Sequence, residues 1–336
     1  MPNIMLTYRC NLKCSYCFAN EFVNKDRSDI SEDNFDKAIE FLTASGPVSI
    51  GLIGGEPTIH SQFKTILEKI IANPLIREAV IYTNGIRVDE YINQIVHPKF
   101  RLLINCNSPQ DIGEIAYTKL RENLNLLFHQ YYMKDRINLG INLYSDDMDY
   151  SYIIDLLKRC GLHRVRISVT VPDFSACDDI DALEIFRSRK DFLLKFFKDM
   201  EKNDILPYYD CNKPPYCVWN DEEKAWLESY VGKYKVESNL IGNHSQCFPV
   251  IDILPDLRAV RCFGMSDFTK VNILDFRNIT DLASFFLNHI DASVYKMASC
   301  EDCKNCYERK IRQCTAGCIG FQSSKIKKAN EFFVSL

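Results

Sequence analysis

Six short apolar runs alternate with amphipathic stretches between residues 3 and 202, and this alternation constrains the fold more than any other property of the chain. Residues 3–8, 48–53, 79–83, 101–105, 138–143 and 164–169 read as strands. They are apolar runs of the kind seen in parallel strands buried on both faces. Residues 31–43, 60–72, 88–96, 114–131, 150–160 and 180–202 carry apolar positions at helical spacing, and Ser31-Glu32-Asp33 is a helix start. Six βα units in succession imply an α/β fold: a parallel sheet with right-handed crossovers, curled as an open barrel or doubly wound. Either arrangement puts the functional side chains at the carboxyl ends of the strands.

Past Asp204 the rhythm stops, and Pro207, Pro214, Pro215, Pro249 and Pro255 punctuate the rest. The sequence therefore predicts two domains, residues 1–204 and 205–336. In the second, 248–254 and 257–261 read as a hairpin turning at Pro255-Asp256 and ending at Cys262, and 280–298 as one helix leading into Cys300. This region is poor in regular structure but holds nine of the 15 cysteines, so cross-links have to hold it. No apolar run approaches the ~20 residues of a membrane span, and the N-terminus does not read as a signal peptide. A cytoplasmic location is expected, where thiols stay reduced and metal or cluster ligation accounts for so many of them. A net charge of −4 offers no bulk attraction for nucleic acid or membrane.

The densest chemistry lies in Cys10, Cys14 and Cys17, spaced C-x3-C-x2-C directly after the first strand. Three thiolates can hold three irons of a cubane cluster and leave the fourth iron open. A structural zinc site would normally close its shell with a fourth protein ligand. Gly54-Gly55-Glu56-Pro57 follows the second strand, its glycines permitting close backbone approach. Later strand ends are polar where a buried sheet should be apolar: Thr83-Asn84-Gly85, Asn105-Cys106-Asn107-Ser108, Asn142 in the fifth strand, and Arg166, Ser168 and Thr170 in the sixth. Such groups need partners when buried.

These motifs resemble the radical S-adenosylmethionine (SAM) superfamily. The resemblance implies a partial (β/α)6 barrel in which Cys10, Cys14 and Cys17 hold a 4Fe–4S cluster, and SAM chelates the open iron. Electron transfer to SAM would then release a 5′-deoxyadenosyl radical. It further implies that Gly54, Gly55, Glu56 and Pro57 receive the ammonium of the methionine moiety, and that Tyr16 lies near the adenine. Thr83, Asn84, Asn107, Ser108, Asn142 and Ser168 become candidates for the ribose hydroxyls and carboxylate. Ser108 with Arg121 are the carboxylate candidates, although Arg121 reads equally as a solvated helix charge. Cys106, Cys160 and Cys177 read as small core residues.

The tail, Cys247-x14-Cys262 followed by Cys300, Cys303, Cys306, Cys314 and Cys318, resembles the SPASM extension of peptide- and protein-modifying members of that superfamily. The fold class implied is thus a radical SAM barrel followed by a cysteine-rich SPASM-like iron–sulfur domain. Three departures stand out: Cys306 and Cys314 are two residues further apart than usual, Leu257 replaces a glycine, and no cysteine follows Cys318. Two auxiliary 4Fe–4S clusters would need eight thiolates. Cys247, Cys262 and Cys318, completed by Cys217 or Cys211, would hold the first. Cys303, Cys306 and Cys314, with Cys300 as substitute, would hold the second. One of Cys211 and Cys217 is then spare, a candidate catalytic hydrogen donor. The alternative is a single auxiliary cluster with the other thiols binding zinc, or an open iron site that meets substrate.

By the same resemblance the expected activity is oxidative modification of a ribosomally synthesised peptide, as a thioether or carbon–carbon cross-link. A peptide epimerase, a formylglycine-forming sulfatase maturase and a non-enzymatic iron–sulfur scaffold are the alternatives. Expected partners are a precursor peptide or protein, a flavodoxin- or ferredoxin-type electron donor, and possible use of a separate leader-binding protein. The motif begins at residue 10, with no leader-binding domain of ~80–100 residues expected before it, so a leader is expected to bind the barrel or tail directly or to use that separate protein. No nucleic acid or membrane partner is expected.

Overall fold

A computed structural model describes residues 1–17, 19, 22–25, 28–170, 182–236, 238–242, 245–266, 268–295 and 300–322. Cys177 and the start of the sixth expected helix lie outside the described residues. The chain forms two compact units: Met1–Gly140, Asp149–Leu162 and Pro249–Phe285, and then Ile141–Met148, His163–Phe248 and Phe286–Leu336.

In the first unit, β1 (Asn3–Met5), β2 (Val48–Ile53), β3 (Ile76–Thr83), β4 (Phe100–Asn105) and the start of β5 (Ile137–Leu143) pair in sequence order, all parallel. Ile4, Ile50, Leu52, Ile81 and Ile104 are fully buried along them. Between the strands run α1 (Glu32–Thr43), α2 (Phe63–Ala72), α3 (Ile92–Ile95), α4 (Pro109–Ile112), α5 (Glu114–Asn125) and, after β5, α6 (Ser151–Cys160). Ser31 caps α1 by accepting the Asn34 N–H, and Phe35, Ala38 and Leu42 bury its inner face. The 88–96 and 114–131 stretches do not remain regular. The first opens as a 3-10 turn before α3, and α5 continues into a π turn, Leu126–Gln130.

The hairpin is present as β8 (Asp252–Ile253) and β9 (Arg258–Val260), but it is no separate appendage. β8 pairs parallel with β1, and β10 (Val271–Asn272) pairs antiparallel with β9, which extends the sheet past its first strand. Its turn also explains the glycine that Leu257 displaces: Leu257 sits at φ 66°, the left-handed region that glycine enters without cost.

Asp252 is fully enclosed, its carboxylate accepting from Asn3 Nδ2 at 2.7 Å and from the Phe263 N–H at 3.1 Å. Burial pushes its carboxyl from 3.8 up to about 7. The folded state then holds a proton the unfolded chain releases, so stability falls as pH rises between those values and levels off above. Asp252→Asn keeps an acceptor for Phe263, and its amide nitrogen is matched once the Asn3 amide turns over to present Oδ1, which is buried without a partner. In anaerobic thermal melts the variant should gain several °C at pH 8 and nothing at pH 4.

The second unit departs from expectation in continuing the βα rhythm past Asp204. β6 (Arg164–Val169) is followed by α7 (Ala182–Ser188), α8 (Lys190–Lys202), a parallel β7 (Leu206–Cys211) and α9 (Asp221–Gly232). A capping box between Asn220 and Glu223 starts α9. The side chain of Asn239 lies on β7 like a neighbouring peptide: Oδ1 accepts the Tyr209 N–H at 2.7 Å and Nδ2 donates to the Tyr209 carbonyl at 2.6 Å. The helix expected over 280–298 is divided into α10 (Ile279–Phe286), a π turn and α11 (Ala292–Val294). α12 (Tyr307–Lys310) starts from Cys306. Among the described residues no helix is long and apolar enough to cross a membrane.

Candidate active site

The carboxyl ends of β1 to β4 carry the first constellation. β1 ends early, and the chain then runs beside the loop after β2: the Gly55 N–H donates to the Thr7 carbonyl at 2.8 Å and the Glu56 N–H to the Arg9 carbonyl at 2.9 Å. The glycines are required by this approach. A Cβ at Gly54 would lie 2.8 Å from the Thr7 oxygen, and one at Gly55 only 2.1 Å from the Arg9 oxygen and 2.9 Å from Cys10 Cβ.

Glu56 is 1% exposed. Its Oε1 accepts from the Thr58 N–H and hydroxyl and from the Thr83 hydroxyl, while Oε2 accepts from the Asn84 N–H at 2.8 Å. Burial raises the carboxyl pKa against these four donors. Oε1 is crowded and Oε2 carries a single bond, so Oε2 is the oxygen with capacity for a further donor. Glu56 thereby ties β2 to β3. Asn84 extends the tie, its Nδ2 donating to Asn11 Oδ1 in the cysteine loop at 2.7 Å.

Cys10, Cys14 and Cys17 are partly buried, and burial pushes Cys10 to about 12 and Cys14 to about 11, with Cys17 also raised. Metal binding at such thiols must release their protons. The Tyr16 hydroxyl hydrogen-bonds Cys14 and the Asn105 amide. Asn105 Oδ1 and Asn107 Oδ1, both at the carboxyl end of β4, are buried with no hydrogen-bond partner. An all-thiol loop facing buried acceptors that lack donors fits a soft iron–sulfur cluster and a hydroxyl-bearing ligand.

Ser108 and Arg121 have other surroundings. The Ser108 hydroxyl is committed to α4, accepting from the Asp111 N–H and donating to Asp111 Oδ2. Arg121 is exposed on α5, the solvated reading. Asn142 and Ser168 belong to the second unit. There Asn142 Oδ1 accepts from Arg166 Nη1 at 2.8 Å, and Arg166 also donates to Asp210. Cys106 and Cys160 are buried, as small core residues are. Sequence reasoning passed over Thr58, and over Asn11 and Asp29, whose parts depend on contacts between distant segments.

Eight tail cysteines of the second unit are described, and two sets of contacts join them. Cys318, buried, hydrogen-bonds Cys211 and Cys247. Cys300 and Cys303 lie 3.1 Å apart. Cys314 interacts electrostatically with both Cys303 and Cys306, and Cys217 with Cys306 and Cys314. Cys211 is thus the upstream cysteine that joins Cys247 and Cys318, and Cys217 joins the other group. Cys262 belongs to the first unit. Among the described residues no three His, Cys, Asp or Glu side chains are arranged to hold a single metal ion.

Residues 4–140 match the family model described as the Radical SAM superfamily. This part of the chain is thus similar to that superfamily, over less than half of the sequence. The chain is 37% identical over 121 residues to a GTP 3',8-cyclase of Pseudomonas savastanoi pv. phaseolicola, covering 34% of this chain and 35% of the cyclase. It is 22% identical over 233 residues to a GTP 3',8-cyclase of Thermodesulfovibrio yellowstonii, covering 68% and 64%. The chain thus spans less than two thirds of these curated relatives. Among solved structures it is similar to Streptococcus suis SuiB bound to precursor peptide SuiA, with 15% identity and a TM-score of 0.59 over 95% of this chain and 71% of SuiB. That likeness shows the fold alone, an α/β arrangement around a parallel sheet.

Proposed function

We propose that this radical SAM protein oxidatively modifies a ribosomally synthesised peptide by installing a cross-link, through a thioether or carbon–carbon bond. The observation that carries the reading is the gathering of tail thiols into two groups within one unit. When bound, a reduced cluster and SAM supply one-electron cleavage and a hydrogen-abstracting radical, and auxiliary clusters supply one-electron acceptors. Joining two positions of a peptide removes two hydrogen atoms. One leaves by abstraction, and the second must depart as a proton and an electron. The thiol groups of the second unit are where this chain can hold an acceptor for that electron.

In this reading Cys10, Cys14 and Cys17 hold the first cluster, Glu56 Oε2 and the Gly54–Pro57 loop receive the SAM ammonium, and Asn105 and Asn107 accept from ribose hydroxyls. Cys211, Cys247 and Cys318 are ligands of one auxiliary cluster. Cys300, Cys303, Cys306 and Cys314 hold the other, with Cys217 as the surplus thiol and hydrogen-donor candidate. A flavodoxin- or ferredoxin-type protein would deliver the electron, and a leader-binding partner would present the peptide in the cytoplasm. SuiB with its precursor peptide supports the peptide reading. The similarity to GTP cyclases supports a second one, cyclisation of a nucleotide.

Anaerobic reconstitution with iron, sulfide, dithionite and SAM separates the two. A short peptide encoded beside this gene should lose two mass units, while GTP should be returned unchanged. Conversion of GTP with an unaltered peptide would reverse the assignment, and absence of 5′-deoxyadenosine in both arms would sink the enzyme reading.

A further inference from the structure

Asp29 lies in no motif, yet two distant segments, Thr7–Arg9 and Ser61, meet on its carboxylate. Oδ1 accepts from Arg9 Nε at 3.0 Å and from the Thr7 hydroxyl at 2.7 Å. Oδ2 accepts from Arg9 Nη2 at 2.6 Å and from the Ser61 N–H and hydroxyl at 3.0 and 2.9 Å. Arg9 and Asp29 form a bidentate pair, the strongest and most directional ion-pair geometry. His60 comes within 4.0 Å of Oδ2 but brings no charge to it. Its Nε2 donates to the Ile30 carbonyl, its Nδ1 accepts the Gln62 N–H, and burial holds its pKa down.

Arg9 precedes the first cysteine, and it is gripped at both ends by the loop after β2. Its backbone carbonyl accepts the Glu56 N–H, and its Nη2 also donates to the Ile59 carbonyl at 2.9 Å. The peptide joining Arg9 to Cys10 is therefore fixed in distance and orientation against Gly55 and Glu56. One small molecule has to span that distance in the proposed reading, chelating iron beside Cys10 with the same methionine moiety whose ammonium meets the loop. A shift of a fraction of an ångström between the two halves would break one contact or the other.

We infer that Asp29 is a positioning residue, which holds Arg9 so that the cysteine loop and the Gly54–Pro57 loop are spaced for one SAM molecule. The inference rests on the assignment of SAM to this site. Asp29→Asn keeps the shape and loses the charge that fastens Arg9. Arg9→Lys keeps a positive charge and loses the fork.

The test uses the full chain, reconstituted anaerobically and reduced, with SAM titrated against the electron paramagnetic resonance spectrum of the first cluster. In Asp29→Asn the dissociation constant should rise at least tenfold, about 1.4 kcal/mol, with wild-type iron content. Arg9→Lys should give a smaller rise in the same direction. A merely structural role would lower the melting temperature and leave the affinity of loaded protein where it was, so affinity within twofold of wild type overturns the inference. If Asp29→Asn does not fold or load iron, Arg9→Lys decides by the same criterion. A wild-type spectrum indifferent to SAM would instead overturn the assignment of SAM, and the inference with it.

Discussion

Gly55→Ala should deprive the first site of iron and reduce 5′-deoxyadenosine formation by ~100-fold or more. The added carbon would stand 2.1 Å from the Arg9 carbonyl oxygen and 2.5 Å from its carbon, both backbone atoms with no flexible end to swing aside. Either the cysteine loop or the loop after β2 must move, and the Glu56 N–H bond to Arg9 breaks with it. The measurement is iron per chain together with 5′-deoxyadenosine formed under dithionite. Gly232→Ala is the control, since a Cβ there meets nothing within 4 Å on the last turn of α9. It should behave as wild type. A Gly55→Ala protein with full iron and normal SAM cleavage would show that the two loops are not held as closely as described.

The second large effect concerns the tail. Cys314→Ala should lower iron by about four per chain, the content of one cubane cluster, leave 5′-deoxyadenosine formation intact and abolish the modified peptide. Cys318→Ala should remove about four others with the same result. Cys217→Ala distinguishes the surplus thiol from a ligand: five cysteines gather where a cubane cluster needs four, so iron should stay at the wild-type level. Loss of about four irons in Cys217→Ala would transfer the ligand role to it from one of Cys300, Cys303, Cys306 and Cys314. Iron near eight in the wild-type protein, rather than near twelve, would remove one auxiliary cluster from the account.

What the sequence disclosed of this site follows from how local each feature is. Three thiols within eight residues and a Gly-Gly-Glu-Pro loop identify themselves, because their spacing is itself the chemistry. Asp29 is opaque by the same reasoning: it acts on Arg9, 20 residues away, and on Ser61, 32 residues away. Ser108 reads as a ligand residue until its hydroxyl is seen capping α4, a use that Ser-Pro-Gln-Asp serves equally well. The strand β7 was hidden by Pro207, which suggests a break in a central strand but is tolerated where, among the described residues, one side of the strand has no partner strand. The hairpin could be read locally. Its place beside β1 could not, because a parallel pair between residues 3 and 252 leaves no trace in either segment. The assignment of Cys211 and Cys217 to different groups depends in the same way on folding around Cys247 and Cys314.

The amide of Asn239 on β7 has a consequence for what the protein can hold. A bare strand edge binds any extended chain, whatever its side chains, because the backbone pattern is common to all peptides. At Tyr209 that generic contact is already satisfied from within. A peptide cannot zip onto this stretch by main-chain pairing, and a second copy of the protein cannot polymerise through it. In the proposed peptide-modifying reading, selection among peptides at this stretch is left to side-chain chemistry, which suits an enzyme that must ignore most of the extended polypeptide around it.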